Sequence, residues 1–567
     1  MFAEILLISL VCNFNNQIFA YNPNLLQDVK DCVPDCDSKI FCQGDLLHDV
    51  QTSRIFSDGT VFVEKQLRYP EKDVIDKYTK LKKKHGGRTP DADTLMKFVD
   101  ENFANDSLDT CELPDHKVEP SIIDKVDPKY RDWLLRLNEI WLELAGRINK
   151  DCKDRPELHS YMYVPNRFIK AGGRFTGTYY WDSYWIIKGL LVCDMHESAR
   201  GIVENIVYLI NKHGHMPNGN RIYYLQRSQP PMLIQMAASY YEATKNATFI
   251  RNNLAAFEKE FEWWHKNRAI DVEKDGKKYK MLRYKSISCS PRPESYYEDY
   301  ELVKNITDEK ERARIFTGIR SATESGWDFS SRHMRGPNNS KRGTLRDMDS
   351  QNMIYVDLNS IMHSNIAYLS KWHEEFGNKS KAQRYEKIAN YMKDSIEHIL
   401  WNEEAGIWQD FDLITNKHRN FFFASNLTPL WSKSYKNETK IDRAIDYLKK
   451  HNIITEDLQP KYYGVPTTTD NTTQQWDFPN CWAPLQSFII QGLEKSNNPT
   501  AERIAYNLAR AWIKTAFEGF QKGNQMYEKY SAIELGSSGG GGEYEPQTGF
   551  GWTNGFIFDL FNTWRTF

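Results

Sequence analysis

Several kinds of functional sequence are missing from this chain of 567 residues. Lys and Arg total 74 and Asp and Glu total 76, so the net charge of −2 provides no basic field to attract nucleic acid or an anionic membrane. Beyond the N-terminus, no segment approaches the ~18 consecutive apolar residues that a membrane-spanning helix requires. We therefore expect neither nucleic-acid binding nor a membrane span.

The sequence motifs of three large enzyme classes are also absent. There is no serine nucleophile elbow between a strand and a helix, no Walker phosphate loop and no dinucleotide-binding GxGxxG after a strand, which argues against acyl, phosphoryl and hydride transfer. The tetraglycine 539–542 lacks a following Lys, so we interpret it as a sharp turn or as backbone that approaches a ligand closely. A zinc site is disfavoured because no CxxC or HxxxH pair is present.

The N-terminus has the pattern of a secretory signal peptide. A mostly apolar run from Ile5 to Cys12 is followed by a polar stretch that ends at the small residue Ala20. We therefore expect residues 1–20 to be removed and the mature protein to be secreted and soluble, and the alternative is a buried N-terminal helix. Of nine Cys, eight remain after the loss of Cys12, and this even number permits disulfides without assigning them. Sequons for N-glycosylation are at Asn105, Asn246, Asn305, Asn338, Asn378, Asn426, Asn437 and Asn471.

Helical periodicity dominates the chain from about residue 120 onward. Apolar residues recur at steps of three and four in 358–372, where the pattern stops at Gly377, and in 202–209, where it stops at Gly214. Sustained alternation of apolar and polar residues is scarce, so a large sheet is not expected. The sequence therefore predicts an all-α architecture.

The region that follows the signal peptide has a different composition. Residues 21–118 are more polar, and we expect them to form an extension that packs on a main helical domain of residues 119–567. The run Lys82–Lys84 is interpreted as the solvated face of a helix.

Five groups of loops combine Trp with carboxylates and Gly. They are residues 171–185, 216–231, 291–295, 324–332 and a C-terminal group of 474–484, 527–530 and 539–555. Carboxyl groups, arginines and aromatic rings are the groups that a glycosidase uses: one acid for the leaving oxygen, one carboxylate for water or direct attack, and polar groups for sugar hydroxyls. The loops therefore indicate chemistry on a sugar.

These loops resemble the animal trehalases, glycoside hydrolase family 37. The matching strings are residues 172–175 with 179–185, residues 475–477 with Pro479 and 482–486, and residues 539–544. They occur in the family's order, and the resemblance extends from about Cys42 to Phe567. It implies an (α/α)6 toroid of paired helices with a loop-built site at one end, and hydrolysis of the disaccharide trehalose to two glucose molecules with inversion. It implies no metal and no organic cofactor.

The resemblance also assigns roles to residues. It makes Asp328 the general acid and Glu528 the general base. On residue type alone, Asp328 would be interpreted as a turn residue and Glu528 as a surface ion-pair partner. The implied substrate-binding residues are Arg174, Phe175, Trp181, Asp182, Asn218, Arg227, Gln229, Arg292, Glu294, Gly326, Trp476 and Glu543. The arginines are expected to bind hydroxyls and to lower the pKa of the base carboxylate. Asp182 and Asp477 have the alternative role of buried hydrogen-bond hubs.

Departures from the family pattern keep two other functions open. Thr176 and Gly177 replace a common Arg–Glu pair, and Ala171, Cys481 and Ser531 differ from the usual residues. We expect the double exchange Thr176→Arg with Gly177→Glu to raise activity or melting temperature. The alternatives to a trehalase are another (α/α)6 glycosidase with a different glucoside substrate and a sugar-binding homologue that has lost catalysis. The sequence leaves oligomeric state, disulfide pairing and sequon occupancy open.

Overall fold

The computed structural model describes residues 32–105, 108–336 and 340–567, so the predicted signal peptide, 1–20, lies outside the described residues. Helices dominate the structure. The α-helices are α1 Asp45–Thr52, α2 Thr60–Val63, α3 Glu71–Lys84, α4 Ala92–Asn102, α5 Arg131–Leu144, α6 Asp151–Asp154, α7 Asp182–Val192, α8 His196–His213, α9 Leu233–Thr244, α10 Ala247–Arg268, α11 Tyr296–Val303, α12 Glu309–Glu324, α13 Val356–Glu375, α14 Lys379–Ile399, α15 Thr428–Ser432, α16 Thr439–Lys450, α17 Ala483–Glu494, α18 Pro499–Gly523 and α19 Gly551–Thr563.

Both apolar stripes found in the sequence form helices. The stripe of 358–372 is the buried side of α13, and that of 202–209 is the buried side of α8. Helix α8 ends where Gly214 adopts a left-handed conformation with φ of 89°, which glycine reaches without strain. In α3, Lys83 and Lys84 are exposed, whereas Lys82 forms an ion pair with Asp49. The helix predictions are confirmed, and two of the three lysines form the solvated face.

The helices are arranged in two layers. Helices α7, α9, α13, α15, α17 and α19 form an inner ring in which each helix packs against the next and α19 returns to α7. Helices α5, α8, α10, α14, α16 and α18 pack outside this ring or against one another. The inner helices α7 and α19 are buried around nearly their whole circumference, as a helix enclosed by other helices must be. This is the predicted (α/α)6 toroid.

The strands are short and antiparallel. They are β1 Gln66–Leu67, β2 Phe103–Ala104, β3 Leu108–Asp109, β4 Ala145–Ile148, β5 Phe168–Ile169, β6 Ala269–Lys274, β7 Lys277–Leu282, β8 Met353–Ile354, β9 Trp401–Asn402, β10 Ile407–Trp408, β11 Phe411–Asp412, β12 Lys417–His418, β13 Asn480–Trp482 and β14 Lys529–Ser531. The longest pairing is the β6–β7 hairpin, in which Ala269 lies opposite Leu282. Three-stranded sheets are the largest within the described residues, as expected.

The N-terminal segment and the ring share one hydrophobic core. Leu47, Val50 and Phe62 are fully buried or nearly so, and they belong to the same buried cluster as residues of α7 and α19. A disulfide from Cys32 to Cys289 also joins this segment to the loop before α11, and a second joins Cys36 to Cys42. The division at residue 118 stays a prediction. Within the described residues, no helix combines the length and apolar character needed to cross a bilayer.

Candidate active site

A cavity of about 680 Å³ lies among the loops that precede α7, α9 and α19 and the loop that follows α12. Loops at one end of a rigid helical ring are where such a scaffold can hold a site. The sequence-predicted residues in its wall are Arg174, Phe175, Trp181, Asp182, Asn218, Arg227, Gln229, Arg292, Glu294, Gly326, Asp328, Glu528 and Glu543. The fold thus brings together groups that are up to 369 positions apart, from 174 to 543.

Asp328 follows α12 and is fixed through its backbone. The Gln475 side chain donates a hydrogen bond to the Asp328 carbonyl oxygen, and the Trp476 amide donates to the Phe329 carbonyl at 3.1 Å. Withdrawal from bulk water raises the pKa of Asp328 to about 6, although the positive charge of Arg292 opposes the shift. This carboxyl group is therefore close to its pKa at mildly acidic pH, which suits proton donation.

Asp477 holds the loop that carries Asp328. Its carboxylate accepts hydrogen bonds from Ser330 Oγ at 2.6 Å, from the Ser331 amide at 2.9 Å and from the Thr472 hydroxyl. Asp477 is fully buried and is not in the cavity wall, so it is the hydrogen-bond hub considered from the sequence.

Asp182, by contrast, lies in the cavity wall. It is the first residue of α7, and burial raises its pKa to about 8, with smaller contributions from the charges of Glu528 and Asp328. At pH 7 this carboxyl group is therefore mainly protonated and can donate a hydrogen bond to a ligand.

Glu528 immediately precedes β14, which pairs with β13. Its carboxylate accepts hydrogen bonds from the Tyr544 hydroxyl at 2.8 Å and from the Gln547 amide at 3.3 Å. Burial raises the pKa of Glu528 to about 7, against the opposing effects of the Lys529 charge and the Tyr544 hydrogen bond. Lys529 is the cation with the largest effect on Glu528, while Arg292 lowers the pKa of Asp328; the effect of the arginines on the base stays a prediction.

The two carboxyl groups also affect each other. The negative charge of Asp328 contributes to the raised pKa of Glu528, and the two groups titrate over mildly acidic to neutral pH. Between the two titrations the pair holds one proton. The reaction requires the form of this state in which Asp328 holds the proton and Glu528 is ionised.

Arg227 forms the centre of a polar cluster in the cavity wall. Its Nε donates to Asn218 Oδ1 at 3.1 Å, and its Nη2 donates to Glu294 Oε1 at 2.5 Å. Arg227 Nη1 and Glu294 Oε2 have no hydrogen-bond partner within the described residues. Because a buried polar group without a partner costs free energy, this donor and acceptor are suited to the hydroxyl groups of a bound sugar.

Arg292 is fixed by a bidentate ion pair. Its Nε and Nη2 donate to the two carboxylate oxygens of Asp299 at 2.9 and 2.7 Å, and Nη2 also lies 3.3 Å from Glu543 Oε1. Burial raises the pKa of Glu543 to about 7, and Arg292 opposes this shift. The guanidinium group therefore links two carboxylates and retains little rotational freedom.

Trp476 supports the site from behind. It stacks on Trp482 with ring centroids 3.9 Å apart and on Trp327 at 5.4 Å, and it lies 5.9 Å from Trp181. Trp476 is 2% exposed and is not in the cavity wall, in contrast to the ligand contact that the resemblance implies. Of these rings, Trp181 is the one that faces the cavity.

Some residues of the wall were not predicted from the sequence. Tyr179, Tyr224, Tyr544 and Gln547 line the cavity, and Asp58 reaches it from the N-terminal segment. Tyr544 directly follows a predicted residue in the GGGGEY string and could have been found there. Asp58 lies in a short polar turn, FSDGT, which carries no signal of its own.

Gly177 is closely packed, which changes the interpretation of its departure from the family pattern. A Cβ atom at this position would lie 2.6 Å from Asn220 Oδ1, and that oxygen accepts a hydrogen bond from the Thr178 amide at 2.9 Å. The neighbouring Thr176 hydroxyl is already bonded to Tyr161 at 3.0 Å. A glutamate at this position would displace the buried Asn220, so the expected gain from restoring the Arg–Glu pair is not supported by the structure.

Two buried carboxyl groups with raised pKa values, in a polar cavity at one end of an (α/α)6 toroid, are the arrangement of a glycoside hydrolase. Residues 54–564 match the Trehalase family model. The chain belongs to the trehalase family.

Relatives are similar to this chain over most of its length. A trehalase of Pimpla hypochondriaca is 42% identical over 93% of this chain and 90% of its own, and the trehalase of Homo sapiens is 38% identical over 93% and 89%. Among solved structures, neutral trehalase Nth1 from Saccharomyces cerevisiae superimposes with a TM-score of 0.56 at 21% identity, covering 70% of this chain and 73% of its own. That structure supports the fold alone.

Proposed function

We propose that this enzyme hydrolyses trehalose to two glucose molecules by a single displacement with inversion. The observation that carries the proposal is that Asp328 and Glu528 lie in the wall of one cavity. Asp328 gives its proton to the glycosidic oxygen as the bond from that oxygen to the anomeric carbon breaks. Glu528 takes a proton from a water molecule, and the water oxygen forms the new bond to the opposite face of that carbon. The similarity to the trehalases of Pimpla hypochondriaca and Homo sapiens supports trehalose as the substrate.

The other groups of the wall bind and orient the sugars. Arg227 Nη1 and Glu294 Oε2 offer a donor and an acceptor to hydroxyl groups, and protonated Asp182 offers a further donor. The ring of Trp181 provides an apolar face for the C–H groups of a glucose ring. Orientation by these groups lowers the barrier because the reacting atoms are held together.

The stereochemistry of the products tests the mechanism. Inversion produces one glucose as the β anomer, while the other leaves with its anomeric carbon untouched as the α anomer. Proton NMR at early times, before mutarotation, should therefore show both anomers in equal amounts. Only α-glucose at early times would mean retention and a covalent intermediate on a carboxylate, which would contradict the proposal.

The substrate is tested by a panel of disaccharides. We expect trehalose to be hydrolysed and maltose, sucrose and cellobiose to remain intact. Hydrolysis of a different glucoside in preference to trehalose would favour another (α/α)6 glycosidase, and binding of trehalose without turnover would favour a sugar-binding homologue.

We further propose that the protein is a secreted glycoprotein. The apolar N-terminus, the two disulfides and the sequons support this, since disulfides persist in oxidising compartments. Asn305, Asn378 and Asn437 are exposed, whereas Asn426 is fully buried and donates to the Tyr447 hydroxyl. Peptide mass spectrometry of protein secreted by eukaryotic cells should find glycans at exposed sequons and none at Asn426. Retention of the chain inside the cell would contradict the proposal.

A further inference from the structure

The N-terminal segment supplies part of the active-site wall. Residues 57–60, the turn that leads into α2, line the same cavity as Asp328 and Glu528. The Gln51 side chain fixes this turn by donating to the carbonyl oxygens of Gly59 at 2.9 Å and of Pro293 at 2.8 Å. The turn is therefore attached to the loop that carries Glu294.

Gly59 permits this attachment because the two backbones are very close. A Cβ atom on Gly59 would lie 2.8 Å from the Glu294 carbonyl oxygen, closer than packed carbon and oxygen atoms approach. The turn therefore packs closely against the loop that carries Glu294, and this contact fixes the position of Asp58 within the turn.

Asp58 holds a substrate-binding arginine. Its Oδ1 accepts hydrogen bonds from Arg174 Nη2 at 2.9 Å, from the Thr60 amide at 2.9 Å and from the Thr60 hydroxyl at 2.7 Å. The side chains of Asp58 and Arg174 are 29% and 20% exposed, so water screens their attraction only in part. Thr60 therefore orients the Asp58 carboxylate for its ion pair with Arg174.

Arg174 in turn contacts the machinery around the general base. Its guanidinium carbon lies 4.8 Å from the centroid of the Tyr544 ring, and the Tyr544 hydroxyl donates to Glu528 Oε1 at 2.8 Å. The contacts therefore form an unbroken series from Asp58 through Arg174 and Tyr544 to Glu528.

We propose that Asp58 is a positioning residue of the active site: its carboxylate holds Arg174 in the orientation in which Arg174 binds substrate and packs on Tyr544. This inference rests on the proposed function, since its effect is measured on trehalose hydrolysis. It also gives the N-terminal segment a direct part in the reaction, beyond its contribution to the core.

The test is the exchange Asp58→Asn. The amide oxygen of Asn can still accept from Thr60, so the turn is kept while the negative charge that holds Arg174 is lost. We expect kcat/KM for trehalose to fall at least about tenfold, since small displacements of positioning groups have effects of this size. Asp58→Glu, which keeps the charge, should recover part of the activity.

A matched control is Asp45→Asn. Asp45 is in the same N-terminal segment and pairs with Lys82 at 3.1 Å, but its side chain is 78% exposed and is not in the cavity wall. This variant should keep wild-type kcat/KM. The melting temperatures of both variants should agree, which separates loss of positioning from loss of fold.

A double-variant comparison tests whether Asp58 acts through Arg174. In an Arg174→Ala background, Asp58→Asn should change kcat/KM by less than about twofold. A further full loss in that background, or an Asp58→Asn enzyme within twofold of wild type, would overturn the inference while leaving trehalose hydrolysis established. A wild-type enzyme that leaves trehalose intact would instead overturn the proposed function, and this inference with it.

Discussion

Single carboxyl groups set the pH range in which this enzyme can work. The pKa values of Asp328 and Glu528 are raised to about 6 and about 7. At pH below this range both groups are protonated and no base is present, and at pH above it both are ionised and no acid is present. We therefore expect a bell-shaped profile of kcat/KM with its maximum between the two values, measured with trehalose. A rate that stays constant from about pH 5 to about pH 8 would contradict the assignment of the pair.

The same two residues can be tested by isosteric exchange. Asp328→Asn removes proton donation and Glu528→Gln removes activation of water, and each should lower kcat by about 10²- to 10⁴-fold. Binding of trehalose, measured by calorimetry on the inactive variants, should persist because the substituted side chains keep their shape. A variant that retains more than about a tenth of wild-type kcat would show that its residue has another role.

At the scale of elements, the loop before α7 depends on the absence of a side chain at Gly177. Gly177→Ala should lower the melting temperature by about 1 to 3 °C, because the new Cβ atom displaces Asn220 from its bond to the Thr178 amide. Gly540→Ala is the matched control, since a Cβ atom there meets nothing within 4 Å. Equal melting temperatures for the two variants, measured by scanning calorimetry, would refute the close packing at Gly177.

The helices were predictable from sequence to a greater degree than the site. Periodic apolar residues report burial directly, so the stripe of 358–372 identified α13 with its end near Gly377. No such local signal joins Asp58 to Arg174 or Asp477 to Ser330, which are 116 and 147 positions apart. Resemblance supplied both carboxyl groups and the arginines of the cavity wall, but the support by Asp477 and the position of Trp476 required the packed structure.

For the molecule as a whole, the two disulfides should differ in their effect on stability. Cys32–Cys289 closes a loop with a separation of 257 residues, and Cys36–Cys42 closes one of 6 residues. On the chain-entropy model the long loop stabilises the fold by about 3 kcal/mol more than the short one, because it restricts the unfolded chain more. Replacement of Cys32 and Cys289 by Ser should therefore lower the melting temperature more than the same change at Cys36 and Cys42. The opposite order would exclude this entropic account.

The closure of the inner ring by α19 has a consequence for how the enzyme is made. The cavity wall draws on residues from Ser57 to Trp552, and α19, which begins at Gly551, packs against α7, the first helix of the ring. A nascent chain that ends before α19 therefore lacks part of the cavity wall. Premature stop codons before α19 should therefore yield inactive protein, because Trp552 and the closure of the ring are lost.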